Sequence, residues 1–300
     1  MPQFRLAQVV EGPAGHVTMT PTWSWLLTRW SLEPSIVLGL AALTLAYLFA
    51  CGYRRVGRYH GEPQRVLCTP SQLRLFFLSV GILAVALMSP LDYAGDNFLF
   101  SAHMIQHLVL ASAWPPIFLM SLPEEVVAPA FRARWLGTAL RFLTKPAVAF
   151  VIFSIDITIW HLSGWYDLTL RNDGIHILEH LTFMAAGVLV WWPILSPLRS
   201  RRLSPGLQEL YLFANLFPMM ALGIFFTFWQ HPLYAPYIAD PRLWGISALT
   251  DQQLGGLIMW MPGDLPFALA MAVTLMWWID RGDPNEGRRI FTTPAEGSSV

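Results

Sequence analysis

The sequence predicts an all-α, multi-pass membrane protein. Hydrophobic residues make up 55% of the 300-residue chain and charged residues only 13%, whereas a soluble protein needs more charge to cover its surface. Seven apolar stretches are each near the ~20 residues with which a helix crosses ~30 Å of hydrocarbon. They cover residues 34–53, 71–90, 98–120, 146–163, 175–196, 207–229 and 252–279.

Basic residues alternate from one connection to the next, and this alternation sets the predicted orientation. The connections after spans one, three and five and the segment after span seven hold 15 of the 19 Lys and Arg residues. Only Arg5, Arg29, Arg171 and Arg242 are left for the other side. Because cytoplasmic loops are enriched in Lys and Arg, the N-terminus is predicted to lie outside and the C-terminus inside.

The chain divides into three predicted segments. Residues 1–33 form a periplasmic or interfacial segment, whose tryptophans suit the membrane surface. Residues 34–280 form the seven-span domain. Residues 281–300 form a cytoplasmic tail that is predicted to be disordered, because it combines charged residues with Pro284, Gly287 and a Gly-Ser-Ser run near its end.

The two cysteines are predicted to stay unpaired. Cys51 and Cys68 fall at the cytoplasmic ends of the first two spans, where the compartment is reducing. They are expected to be small buried residues.

The last predicted span carries two local signals. Gly255 and Gly256 near its start permit a close approach of another helix. The run Met261-Pro262-Gly263-Asp264 lies midway along it, with Pro266 just beyond. Because proline removes a backbone hydrogen bond, this run predicts a break in the helix.

Six of the eight histidines lie at the same end of their spans, and they are the main candidate site residues. His103 and His107 open one span, and His176 and His180 open another. The spacing of four places each pair on one helix face. His161 and His231 close two further spans and complete the predicted set of metal ligands. A lone histidine in a span more often bonds a neighbouring carbonyl, but six at one depth favour a metal.

The ligand types narrow the choice of metal. Imidazoles suit copper, zinc, iron or nickel, and thioethers shift the preference towards copper(I). Met104 adjoins His103, although most of the 12 methionines must be packing residues in so apolar a chain.

A second set of polar residues is predicted to orient the ligands or to relay protons. Each has a plain alternative: the acidic groups could face water or bond to a helix end, and the amide could cap a helix. The set comprises Met104, Asp156, Glu179, Asp251, Gln252 and Asp264.

The order of these motifs resembles a known family. The motifs are Phe100-Ser101-Ala102-His103-Met104-Ile105-Gln106-His107-Leu108, Trp114-Pro115-Pro116, Trp160-His161, His176-Ile177-Leu178-Glu179-His180, Pro232-Leu233-Tyr234 with Tyr237, and Asp251-Gln252-Gln253-Leu254-Gly255-Gly256. They resemble the multi-spanning CtaG family of cytochrome c oxidase (caa-type) assembly factors over about residues 35–280. The Trp-His pair departs from the family pattern, in which a proline follows closely, because Leu162-Ser163-Gly164 stand there.

The resemblance implies a non-enzymatic protein of the bacterial cytoplasmic membrane that supports maturation of a haem–copper oxidase. Its implied cargo is copper and its implied partners are an oxidase subunit and a periplasmic copper donor. The family's histidine positions correspond to His103, His107, His161, His176 and His180. We expect no nucleic-acid partner, and a homodimer stays open.

Two other classes of protein compete with this interpretation. A b-type haem protein that moves electrons within the membrane could use paired histidines as axial ligands. A membrane enzyme with two metal ions could use Asp156 and Glu179 as bridging carboxylates, but carboxylates are few.

Overall fold

The protein is a bundle of helices. The computed structural model describes residues 8–11, 17–20, 23–52, 68–239 and 242–280, so the tail predicted to be disordered, 281–300, lies outside the described residues. The α-helices are α1 (Trp23–Leu27), α2 (Pro34–Gly52), α3 (Pro70–Met88), α4 (Pro90–Asn97), α5 (Phe100–Leu108), α6 (Trp114–Ser121), α7 (Glu124–Arg132), α8 (Arg134–Leu143), α9 (Pro146–Trp160), α10 (Ser163–Thr169), α11 (Asp173–Leu195), α12 (Pro205–Phe228), α13 (Ala235–Ala239) and α14 (Ala248–Asp280).

Six helical segments among the described residues are long and apolar enough to cross a membrane. They are α2, α3 with α4, α5 with α6, α11, α12 and α14. Helix α9 has only 15 residues and meets α8 at 74°, so a seventh span exists only if this bent pair crosses as one unit. The prediction of an all-α membrane protein is confirmed, with six or seven spans.

The third span contains an irregular turn. A π-helical stretch, Val109–Ala113, joins α5 to α6. The next helix begins Trp114-Pro115-Pro116, and two successive residues without an N–H cannot continue the regular bonding of an α-helix. The wide turn therefore follows from the sequence, and it begins two residues after His107.

The last span is one continuous helix of 33 residues that includes Pro262 and Pro266. The predicted break at 261–264 is therefore wrong. Each proline removes one backbone hydrogen bond, and an apolar surrounding penalises the loss of further bonds. The helix thus continues through both prolines.

Helices α12 and α14 touch through their backbones. A Cβ atom on Gly256 would lie 2.6 Å from the Thr227 nitrogen and 2.8 Å from the Gly223 oxygen. The close approach expected from the glycine pair near the start of this span is confirmed.

The segment before the first span contains strands, which the sequence analysis did not predict. β1 (Gln8–Glu11) pairs antiparallel with β2 (Val17–Thr20), and β2 pairs parallel with β3 (Arg242–Leu243). The N-terminal segment is thereby joined to the loop that precedes α14.

Cys51 and Cys68 form a disulfide, so the prediction of unpaired cysteines is wrong. Their Cα atoms lie 5.7 Å apart, within the usual range for a disulfide. The end of α2 and the residues just before α3 therefore lie side by side. The prediction depended only on the expected redox compartment.

Helix α5 lies at the centre of the bundle. Phe100 and Met104 on α5 are fully buried, in one apolar core with Tyr166, Phe183 and Phe226 from other elements. Side chains at the start of α5 are therefore surrounded by protein. Its two histidines consequently face other helices and not lipid.

Candidate metal centre

An aspartate from another helix fixes the start of the helix that carries His103 and His107. Asp251 on α14 accepts hydrogen bonds from the backbone N–H groups of Phe100 at 2.6 Å and Ser101 at 3.2 Å, and also from the Ser101 hydroxyl. The residue that precedes α5, Leu99, offers no side-chain cap. A carboxylate at this position satisfies N–H groups that a helix leaves unpaired.

The second histidine pair lies at the start of α11. Asn172 caps this helix by accepting a hydrogen bond from the Ile175 N–H at 3.1 Å. One turn later, His176 and His180 lie on a single face, with ring centroids 4.2 Å apart. The sequence thus fixes where α11 begins and which way its histidines project.

The fold brings the two pairs together. The rings of His103 and His107 are 4.2 Å apart between centroids. Across the helices, the His103 ring lies 5.3 Å from the His176 ring, and the His107 ring lies 5.6 Å from the His180 ring. Four imidazoles therefore converge from two helices.

Four side chains can share one ion. His103, His176, Glu179 and His180 each offer one ligand atom, and these atoms all lie within 4.8 Å of one another. Two atoms that bind one ion at ~2.0–2.2 Å are at most about 4.4 Å apart, so a small contraction would close the group on a metal. We call these four residues the histidine–glutamate cluster.

The ligand atoms of this cluster lack hydrogen bonds, although Glu179 and His176 each have a titratable neighbour within 4 Å. Among the described residues, no hydrogen bond reaches Nε2 of His103, His176 or His180, or either carboxylate oxygen of Glu179. His103 and Glu179 are fully buried. An unsatisfied buried polar group costs about 1–3 kcal/mol, so five such atoms in one place need a common partner. A metal ion fits, because imidazole nitrogens and carboxylate oxygens both donate lone pairs.

A tyrosine holds His103 in the tautomer whose Nε2 atom is free to accept a metal ion. The Tyr237 hydroxyl donates to the Gly95 carbonyl oxygen at 2.6 Å, and its oxygen lies 3.2 Å from Nδ1 of His103. His103 Nδ1–H therefore donates to Tyr237, which leaves a lone pair on Nε2. Burial raises the pKa of Tyr237 well above its usual value, as it does for Tyr166, which contacts it at 3.2 Å. Both phenols thus stay neutral.

Asp96, at the end of α4, was missed by the sequence analysis. Its Oδ1 atom is buried and lies 3.7 Å from both Nδ1 of His103 and Nε2 of His176. A carboxylate in the short connection between two predicted spans, seven residues before His103, is the signal that would have found it. Tyr237 was noted only as part of a family motif.

His107 and His161 lie beside the cluster. His107 Nε2 is 3.8 Å from a carboxylate oxygen of Glu179. The His161 ring lies 6.0 Å from the His107 ring between centroids, and His161 Nε2 lies 3.3 Å from the sulfur of Met104. Both imidazoles are buried.

Two predicted residues lie away from the cluster. His231 is exposed in the loop after α12, and the structure does not bring its ring to the other five. His231 lies at the same end of its span as the other histidines, but this does not bring its ring close to theirs. Helix α12 ends at Phe228, and His231 lies in the exposed loop that follows. Asp264 is about 20 Å along α14 from Asp251 at 1.5 Å per residue, and its Oδ1 atom is buried without a partner among the described residues.

The other two predicted polar residues have structural partners. Asp156 accepts a hydrogen bond from the Trp160 indole at 3.1 Å, and Trp160 also donates to Thr182. Gln252 accepts from the Leu233 N–H at 2.8 Å and donates to the His231 carbonyl at 3.1 Å. Gln252 therefore ties α14 to the loop that carries the tyrosines.

A cavity of about 350 Å³ leads to the cluster. His176 and His180 line it, together with the carboxyl groups of Asp92, Asp96 and Asp173. Apolar side chains of α2, α3 and α11 also line it. Two of the histidines therefore share this cavity with acidic side chains.

These features define a multi-pass helical membrane protein with a buried imidazole–carboxylate cluster. The chain belongs to the family of cytochrome c oxidase caa3 assembly factors (Caa3_CtaG), whose model matches residues 46–281. The family resemblance noted in the sequence is thereby confirmed.

Relatives of the chain occur in mycobacteria. An uncharacterized protein of Mycobacterium bovis is 25% identical over 276 residues, which are 86% of this chain and 40% of the relative. An uncharacterized protein of Mycobacterium leprae is 23% identical over 269 residues, or 84% of this chain and 40% of the relative. The chain thus spans about two fifths of these relatives' length. No solved structure matches the chain significantly.

Proposed function

We propose that this chain is a copper-binding assembly factor, which holds a copper ion at the histidine–glutamate cluster and supplies it for maturation of a haem–copper cytochrome c oxidase. One observation carries the proposal. Three imidazoles and a carboxylate, unpartnered among the described residues, converge within 4.8 Å in a member of the caa3 assembly-factor family. The family description is that of an assembly factor, which favours a non-catalytic role, so the protein is proposed to be no enzyme.

The donor set supports copper. Three imidazoles and one carboxylate bind divalent metals in an order of affinity that peaks at copper(II), above zinc and nickel. Glu179 adds a negative charge that offsets the cost of placing a cation in an apolar interior. The absence of cysteine from the cluster argues against a thiolate site.

The acidic cavity supports exchange of the ion. An assembly factor must release what it binds, and His176 is only partly buried where it lines the cavity. We propose that a periplasmic donor delivers copper through this cavity and that an oxidase subunit receives it there. Carboxylates in the lining would raise the local concentration of cations.

The proposed setting is the bacterial cytoplasmic membrane, with the N-terminus outside and the cluster near the periplasmic surface. This orientation puts the Cys51–Cys68 disulfide on the cytoplasmic side, where disulfides are rare. The 15 basic residues on alternate connections favour this orientation, because many charges together determine insertion.

Copper retention by the purified protein tests the proposal. The full chain in detergent is mixed with copper(II), desalted and measured by mass spectrometry for copper per chain. The wild type should retain copper, and a His176→Ala/His180→Ala variant should lose most of it. His231→Ala serves as the matched control, because this histidine is exposed and away from the cluster. It should retain copper like the wild type.

Two further readouts complete the test. Membranes of a bacterium that lacks its own copy should regain cytochrome oxidase activity with the wild type and the control, but not with the double variant. Equal copper retention by the double variant and the wild type would contradict the proposal. A Soret band in the purified protein would instead indicate the haem-binding alternative.

A further inference from the structure

We propose that the chain has a second metal site, selective for copper(I), in a pocket next to the histidine–glutamate cluster. A cavity of about 10 Å³ is lined by Met104, His107, His161, Met219 and Met259, which we call the methionine pocket. Its other lining side chains are apolar. None of the five residues belongs to the histidine–glutamate cluster, so this site goes beyond the function proposed above.

The contact between His161 and Met104 points to a missing partner. His161 Nδ1 lies 2.7 Å from the Ile157 carbonyl oxygen, which can only accept, so the proton resides on Nδ1. His161 Nε2 therefore carries a lone pair. It faces the sulfur of Met104 at 3.3 Å, and a thioether has no proton to donate. Two electron-pair donors thus face each other in the protein interior, an arrangement that a shared metal ion explains.

His107 provides a second unpartnered donor. Neither of its ring nitrogens has a hydrogen-bond partner among the described residues, and its side chain is only 5% exposed. One nitrogen must carry a lone pair when the ring is neutral. His107 lines the pocket beside His161 and also contacts His103 of the cluster, with ring centroids 4.2 Å apart. It therefore lies between the two sites.

The chemistry of the lining selects a soft, singly charged ion. Three thioethers come from three helices, α5, α12 and α14, and all three methionines are buried. Within the described part of the chain, no carboxylate lines the pocket. A doubly charged ion without a counter-charge is costly in an apolar interior, and thioethers favour copper(I) over harder cations. The pocket thus differs from the cluster, which contains Glu179 and suits divalent copper.

The size of the pocket agrees with one bound ion. A volume of about 10 Å³ lies near the ~10–15 Å³ that a water molecule needs. Water bonds only weakly to thioether sulfurs, whereas a soft cation binds both thioether sulfurs and imidazole nitrogens. A soft cation can therefore use all five side chains of the methionine pocket.

Silver(I) and cobalt(II) distinguish the two sites by experiment. Silver(I) is a redox-stable probe for a copper(I) site, and cobalt(II) is a harder probe for the cluster. The purified full chain is titrated with each ion separately, and copper(I) is tested under anaerobic conditions against a competing chelator. The test variant is Met219→Leu/Met259→Leu, because leucine replaces methionine with little change in volume.

The expected result is a loss of silver(I) and copper(I) affinity of at least about tenfold in this variant, since even residues that only support a metal ligand contribute about 10- to 100-fold. Cobalt(II) binding should stay unchanged. The matched control is Met220→Leu/Met271→Leu, which alters two methionines on the same helices that do not line the pocket. It should bind both ions like the wild type.

Two outcomes would overturn the proposal. One is equal silver(I) affinity of the Met219→Leu/Met259→Leu variant and the wild type. The other is an X-ray absorption spectrum of the copper(I)-loaded wild type without sulfur neighbours, a result that does not depend on how any variant folds. A failure of the histidine–glutamate cluster would be seen separately, as cobalt(II) binding that His176→Ala/His180→Ala leaves intact.

Discussion

The link between Asp251 and the helix that carries His103 can be tested by Asp251→Asn. Both carboxylate oxygens accept hydrogen bonds, one from the Phe100 N–H and the other from Ser101. An amide has only one acceptor oxygen, so one backbone N–H of the first turn loses its partner inside the protein. We therefore expect lower stability and a less well positioned His103.

The magnitude follows from two contributions. An unsatisfied buried N–H costs about 1–3 kcal/mol, and loss of the charge at the helix start costs about 0.3–1 kcal/mol. The free energy of unfolding should thus fall by about 2–3 kcal/mol. At ~2 °C per kcal/mol for a chain of this size, the melting temperature should fall by about 5 °C.

The assay is thermal unfolding of the purified chain, followed by a copper titration below the transition. Asp280→Asn is the matched control, since it makes the same change at the exposed end of the same helix and should shift the free energy of unfolding by less than about 0.5 kcal/mol. The reasoning is refuted if Asp251→Asn melts with the wild type, or if the control loses as much stability.

Two other predictions concern the tyrosine and the glycine contacts. Tyr237→Phe removes the acceptor of His103 Nδ1–H without changing the aromatic ring. Copper affinity should therefore fall by about 10- to 100-fold in a chelator competition, while the helical circular dichroism stays the same. Unchanged affinity would show that the hydroxyl does not position the ligand. Gly256→Ala places a Cβ against backbone atoms of α12, including the Gly223 oxygen, and should cost about 1–3 kcal/mol in thermal unfolding. Gly81→Ala, where a Cβ meets nothing within 4 Å, should be neutral or stabilising.

The membrane-helical class was predictable from the sequence because it depends on local composition. An apolar run of about 20 residues must form a helix in lipid, whatever its neighbours are. The starts and ends of α2, α11 and α12 accordingly fall within two residues of the predicted spans. The break predicted in α14 failed because proline weakens a helix locally, whereas the surroundings decide whether the helix continues.

Part of the candidate site was predictable from local sequence for the same reason. The spacing of four within each histidine pair determines that both rings share a face. Which helices become neighbours is a tertiary property, and distances between helices cannot be read from the order of residues. For this reason His231 was grouped with the other five, and Asp96 was left out although it lies 3.7 Å from two of them.

The sequence by itself therefore determined the helical membrane fold, the paired imidazoles and the family, since each rests on residues close together in the chain or on their order. Only the tertiary structure decided which donors converge and which nitrogen of each ring is free. Those features depend on contacts between residues far apart in the chain, such as Tyr237 with His103 and Asp251 with Phe100. Packing of the bundle creates these contacts, and no local pattern encodes them.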